Sequence, residues 1–126
     1  MNAALRRNPE SAALQFHGGN LYRALGQHTA ARTAYARAIE RGGSGGDAYL
    51  GLAGSYQDTG EWERAESVYQ ELLARQPKNA LAYEQLGLLL YRDLKRPAEA
   101  RQYLSEYLRL RPDAPDRAQI ERMLGK

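Results

Sequence analysis

The chain has no cysteine, and its 126 residues include five prolines, one phenylalanine and one tryptophan. Without cysteine it has no disulfides, no thiolate metal ligands and no thiol nucleophile. Histidine is nearly absent too. His17 and His28 are the only two, expected on a helix and in a turn, and neither has a paired carboxylate at metal-ligand spacing. No apolar run approaches the length of a membrane-spanning helix. The opening MNAALRRNPESAAL places its arginines after a short apolar patch, the reverse of a secretory signal. The compartment stays open between cytoplasm and periplasm. A dominant sign of charge is also missing: 18 basic and 15 acidic residues leave a formal +3 and are interspersed along the chain. Neither a basic tail nor a single-sign tract stands out.

What the chain does have is a helical composition of Ala, Leu, Arg, Glu and Gln, at a length that suits one domain. Its most informative stretch is Gly46 to Asn79, GDAYLGLAGSYQDTGEWERAESVYQELLARQPKN. Tyr49, Leu52, Ala53 and Tyr56 follow the i, i+3, i+4, i+7 spacing that lines one face of a helix, and Ala65, Val68, Tyr69 and Leu72 line a second. Asp58, Thr59 and Gly60 separate the two helices, with Gly60 able to take the left-handed conformation that follows a helix end. Ala65 is small where two antiparallel helices would come closest, which leaves room for Tyr56 and Tyr69. Pro77 ends the second helix, because Gln76 before it is pushed out of the α region.

These residues resemble a tetratricopeptide repeat, whose pattern W-x2-L-G-x2-Y, A-x3-F and a late Pro reads here as Tyr49, Leu52, Ala53, Tyr56, then Ala65, Tyr69 and Pro77. The resemblance implies a right-handed superhelical solenoid of antiparallel helix pairs that holds other proteins. A period of 34 extends it. Tyr22, Gly26, Ala31 and Tyr35 fall under Tyr56, Gly60, Ala65 and Tyr69, so the first full repeat is read as 12–45 and the second as 46–79. Pro9 and the pair Ala4 and Leu5 match Pro77 and the pair Leu72 and Leu73 two repeats on. Residues 1–11 are therefore read as the trailing half of a repeat from a longer array, with a short N-terminal helix of its own as the alternative. The third repeat, 80–112, carries Tyr83, Leu86, Gly87 and Leu90, then Ala100, Leu104, Tyr107 and Pro112. It follows the N-cap candidate Asn79 and has one extra residue between Arg92 and Pro97, Pro97 opening its second helix. Residues 113–126 read as a capping helix with Asp113 as cap, Pro115 and Asp116 in the first turn, and an apolar stripe of Ile120, Met123 and Leu124 that covers the end of the stack and closes the protein.

Two departures from the pattern carry expectations. Gln15 and Gly18 stand where the second repeat has Tyr49 and Leu52, and Phe16 and Leu14 are expected to compensate by a small rotation. The run Gly42 to Gly46 replaces the late proline, and a flexible joint is expected there, since glycine enlarges the unfolded ensemble. Tyr22, Tyr35, Tyr49, Tyr56, Tyr69 and Tyr83 are all expected at repeat-packing positions.

In the family the first helices line the concave side. Carried over by position, that face comprises Phe16, Asn20, Arg23 and Ala24 in the first repeat, Leu50, Gly54, Gln57 and Asp58 in the second, and Leu81, Glu84, Leu88, Tyr91 and Arg92 in the third. All lie off the packing stripes. Phe16, Leu50, Leu88 and Tyr91 are apolar where packing within a repeat does not require it, which suits an extended segment or an amphipathic helix of a partner; the competing reading is that Phe16 and Leu50 fill gaps between repeats. Family members that grip acidic chaperone tails use Lys and Asn at such positions. Here only Asn20 fits that set, with Phe16, Gly54, Glu84 and Leu88 at the other positions, so chaperone-tail capture is not expected. The acids Glu61, Glu63 and Glu66 sit at a helix start, where negative charge is stabilising, and need no catalytic role. No nucleophile, ligand set or phosphate loop is present, so an enzyme is not expected, nor is a cofactor or a metal. Arginines with interleaved tyrosines can hold nucleic acid, but here they are spread over both helices of each pair and matched by acids.

The reading is thus an all-α solenoid with a C-terminal capping helix that serves as a protein-binding scaffold or adaptor. The preference for Arg over Lys fits a bacterial source. The partner is a protein or peptide, with self-association through an apolar edge as the alternative.

Overall fold

The structure, a computed structural model, describes residues 9–42 and 45–125, and side chains from Ser11 onward. Seven α-helices and no strands occur among the described residues: α1 Pro9–Ala24, α2 His28–Glu40, α3 Asp47–Asp58, α4 Trp62–Arg75, α5 Ala80–Arg92, α6 Pro97–Leu110 and α7 Arg117–Met123. The expectation for Ala4 and Leu5, and the glycine joint at Gly43 and Ser44, fall outside the described residues. The chain forms two compact units, Met1–Leu72 and Leu73–Lys126.

In the first unit the tight spots are filled by small residues. Ala31 and Ala65 are fully buried, as are Tyr35 and Leu72. Tyr35 of α2 lies against the backbones of both α1 and α3. A Cβ on Gly19 would come within 2.7 Å of its ring, and one on Gly51 would come closer still. The Tyr35 hydroxyl donates to Asn20 Oδ1 at 2.6 Å, and Tyr69 of α4 donates likewise to Gln57 Oε1 at 2.6 Å. Each buried phenol therefore has the partner it needs. Gly26 and Gly60, one period apart, both take a left-handed conformation, with φ of 76° and 73°. Thr59, just before Gly60, is fixed by its hydroxyl, which donates to Glu61 Oε2 at 2.5 Å and lies 3.1 Å from Tyr56 O.

Three sequence expectations fail here, two of them on α1. Tyr22 is not a core residue like Tyr35 and Tyr69 but is 39% exposed. Tyr56, its counterpart, is half-buried because Arg32 of α2 lies over its ring, 5.0 Å from the centroid. Leu14 does not make up for Gln15 and Gly18; it is 72% exposed. Phe16 does turn inward, tilted against Tyr35 with ring centroids 6.1 Å apart. His28 opens α2 instead of lying in the turn, and its Nδ1 is buried without a hydrogen-bond partner.

The second unit is organised around α5 and α6. Asn79 caps α5, its Oδ1 accepting from the Ala82 N–H at 3.0 Å. Leu86, Leu89, Leu90, Ala100, Leu104, Tyr107 and Leu108 form its core, and Gly87 lets the Leu104 side chain approach where a Cβ would stand 2.6 Å away. The extra residue lies in the turn at 93–96. Lys95 has φ of 56° there, the one positive φ outside glycine among the described residues. The Arg96 N–H reaches Leu90 O at 2.8 Å, and Pro97 begins α6. The terminal helix is shorter than expected: it starts at Arg117, so Pro115 precedes it and Asp113 is not its cap. Asp116 holds the cap position but makes no side-chain capping bond. Ile120 and Leu124 are buried and Met123 is half-buried.

Candidate functional site

In the first unit α1 and α3 set side chains along a groove of about 260 Å³ lined by Phe16, Asn20, Arg23, Asp47, Leu50 and Gly51. Phe16, Asn20 and Arg23 come from successive turns of α1, and Asp47, Leu50 and Gly51 from the start of α3. Four of the residues expected on the concave side, Phe16, Asn20, Arg23 and Leu50, are therefore brought together. Tyr35 forms the link between the groove and the core. With Asn20 Oδ1 held by the tyrosine hydroxyl, the amide N–H groups of Asn20 are the donors left to face the groove. Burial pushes the Tyr35 hydroxyl above its ordinary pKa, so it stays a neutral donor.

The remaining candidates of the first unit serve the groove from behind. Arg23 holds Asp58 in a two-point contact, Nε to Oδ2 at 2.6 Å and Nη2 to Oδ1 at 3.2 Å. The guanidinium lies flat on Gly54, where a Cβ would stand 2.7 Å from its nitrogens. Its pKa is raised, chiefly by the hydrogen bond to Asp58, although partial burial works the other way. Gln57 is occupied by the Tyr69 hydroxyl, whose pKa burial raises to about 12. Gly54, Gln57 and Asp58 are thus supports in this arrangement. Ala24 is exposed and lines no part of the groove.

In the second unit the candidates lie along α5. Leu81 is 45% exposed and Tyr91 36%, Leu88 and Glu84 are half-buried, and Arg92 is exposed. The spacing 81, 84, 88, 91 follows one side of the helix, giving an apolar strip interrupted by one acid. That acid is perturbed: burial, then hydrogen bonding to and repulsion from Asp116, raise the Glu84 pKa to about 7. A larger depression of about 390 Å³ is lined by Gln76, Pro77, Lys78 and Asn79 and involves none of these residues. Among the described residues no grouping of three or more His, Asp or Glu could hold a metal ion, and no helix is long and apolar enough to cross a membrane.

Sequence reasoning missed Asp47 and Gly51. Gly51 lies off the stripe of Tyr49, Leu52, Ala53 and Tyr56. Its role shows only in its contact with Tyr35, sixteen residues back in another helix, and the one hint was a small residue placed one turn before Gly54.

A family model described as tetratricopeptide repeat matches residues 1–47, 18–56 and 50–115. Among curated proteins no significant match is found. Among solved structures, the tetratricopeptide domain of OM64 from Arabidopsis aligns with a TM-score of 0.80 at 24% identity over 93% of this chain and 96% of that one. The first tetratricopeptide domain of Spaghetti (RPAP3), solved bound to the HSP90 peptide SRMEEVD, aligns with a TM-score of 0.80 at 19% identity over 97% and 99%. A tetratricopeptide repeat protein from Parabacteroides merdae aligns with a TM-score of 0.76 at 27% identity, covering 98% of this chain and half of its own. The helix pairs, the buried alanines at their crossings and these likenesses agree on an all-α helical solenoid. With most of its length matched by the family model, the chain belongs to the tetratricopeptide repeat family.

Proposed function

We propose that this protein binds a segment of a partner protein along the first helices of its pairs, with the repeats divided as 12–45, 46–79 and 80–112 and 113–126 closing the last. The observation that carries the reading is the groove of Phe16, Asn20, Arg23 and Leu50. It presents an apolar floor and wall, amide donors from Asn20 and a positioned guanidinium, the mixture that holds an extended chain by its backbone and one or two side chains. Leu81, Leu88 and Tyr91 offer a second apolar strip in the other unit. One structural neighbour was solved with a bound HSP90 peptide, which supports peptide binding as a use of this fold.

The test is direct. Peptides selected on the wild-type protein from a displayed random library should lose at least tenfold in affinity against Leu50→Asp, measured by fluorescence anisotropy, and keep it against Arg101→Ala, an exposed change on α6. Selected peptides that bind Leu50→Asp as well as wild type would remove the groove from the account.

A second reading, self-association, has its own observation. Leu14 and Leu21 of α1 and Leu25, just after its end, are 72%, 61% and 61% exposed, whereas Ala48 and Ser55, one period after Leu14 and Leu21, are fully buried. Such a strip invites another apolar surface. Sedimentation mass that rises with concentration for wild type and stays monomeric for Leu21→Glu would favour it; a constant wild-type mass up to about millimolar protein would end it.

A further inference from the structure

The groove between α1 and α3 carries one acid with no counter-charge of its own. Asp47 lines it together with Phe16, Asn20, Arg23 and Leu50, is exposed, and makes neither an ion pair nor a side-chain hydrogen bond among the described residues. Arg23 is not its partner. That guanidinium is turned to Asp58, with Nε 2.6 Å from Oδ2 and Nη2 3.2 Å from Oδ1, and lies over Gly54. Its positive charge is thus offset by a carboxylate behind the groove, and Asp47 leaves the whole with a negative excess. Complementarity of charge points to a cationic side chain as what the groove lacks.

The repeat itself does not require an acid at this place. One period back and one period on, the equivalent positions are Ala13 and Leu81. A helix start favours negative charge in general, so α3 accounts for an acid in its first turn, and the groove decides what that acid meets. Asp47 and Leu50 are one turn apart, about 5.4 Å along the helix axis, close to the roughly 6.6 Å between alternate side chains of an extended segment. We propose, as a refinement that rests on the peptide-binding reading, that the groove selects an extended segment in which a lysine or arginine and an apolar residue stand two positions apart. The cation meets Asp47, the apolar side chain enters between Phe16 and Leu50, and a backbone carbonyl accepts from the Asn20 amide. Leu14, Leu21 and Leu25 line no part of this groove, so self-association through that strip is a separate event.

The probe is a displayed library of random segments without charge bias, selected on the full wild-type chain. The peptides recovered should be rich in lysine or arginine placed two positions from leucine or phenylalanine. By fluorescence anisotropy their affinity should fall about fivefold for Asp47→Asn, the size of a solvent-exposed ion pair, and further for Asp47→Lys, with both losses shrinking as salt is added. Replacing the peptide's basic residue by glutamate should restore binding to Asp47→Lys, a rescue that a change in the variant's stability cannot imitate. Should Asp47→Lys fail to fold, Asp47→Asn and the glutamate peptide against wild type decide instead. Leu50→Asp separates the groove from its charge preference. Loss of binding to Leu50→Asp with full affinity for the Asp47 variants, or recovered peptides with no excess of basic residues, would overturn the preference and leave the groove standing. Undiminished binding to Leu50→Asp, or a library that yields no binder, would remove both. A sedimentation mass that rises with concentration for wild type but not for Asp47→Lys would make a second copy the occupant and overturn the proposal.

Discussion

Tyr35 shows at the scale of one residue why glycine recurs in these helices. Its ring fills the space that a Cβ at Gly19 or Gly51 would need, and its hydroxyl fixes Asn20. Gly51→Ala should therefore push the ring or separate α2 from α3, at a cost of about 1–3 kcal/mol of the kind that overpacking brings, seen as a lower urea midpoint. Gly18, one position before Gly19, makes the opposite prediction. Nothing lies within 4 Å of its would-be Cβ and it sits inside α1, so Gly18→Ala should stabilise by about 0.5–1 kcal/mol through helix propensity alone. If both alanines destabilised equally, the contact with Tyr35 would not be the cause.

At the scale of elements, the local signals were legible and the distant ones were not. Gly60 takes the left-handed turn, Asn79 caps α5 and Pro97 opens α6 because each effect depends on a few neighbouring residues. Asn79→Ala should cost about 1 kcal/mol and hasten hydrogen exchange in the first turn of α5; unchanged exchange at Ala82 would show that the side-chain bond contributes nothing. Asp113 failed as a cap because the helix begins later: Asp116 holds the cap position, and its carboxylate accepts instead from the Tyr107 hydroxyl of α6, nine positions back. No pattern along the chain shows that pairing. Tyr22 failed for a related reason. Its position repeats that of Tyr56, but burial depends on what lies above, and Arg32 covers Tyr56 while Tyr22 stays exposed. The groove was legible in Phe16, Asn20, Arg23 and Leu50, which fall outside the packing stripes, but not in Gly51, whose meaning lies in a side chain of another helix.

At the scale of the whole molecule, the question is whether the formal charge of +3 gives this protein an affinity for nucleic acid. Affinity for a phosphate backbone rises with the number of cations free to displace its counterions. In this chain arginines are engaged with acids: Arg23 with Asp58, Arg32 and Arg64 with Glu61, Arg96 with Glu99, Arg109 with Glu106 and Arg117 with Glu121. Arg32 also rests on the Tyr56 face, so that ring is already covered against stacking on a base. Drawing these arginines to phosphate would mean giving up their carboxylates, and the acids left behind would repel the same backbone. A labelled single-stranded RNA of about 20 nucleotides should therefore show no saturable anisotropy change at 150 mM salt with protein at about 100 μM, weaker than the non-specific range of a basic binding surface. Saturable binding under those conditions, falling steeply with added salt, would mean that the ion pairs yield to phosphate and that the tyrosines and arginines form a face for nucleic acid.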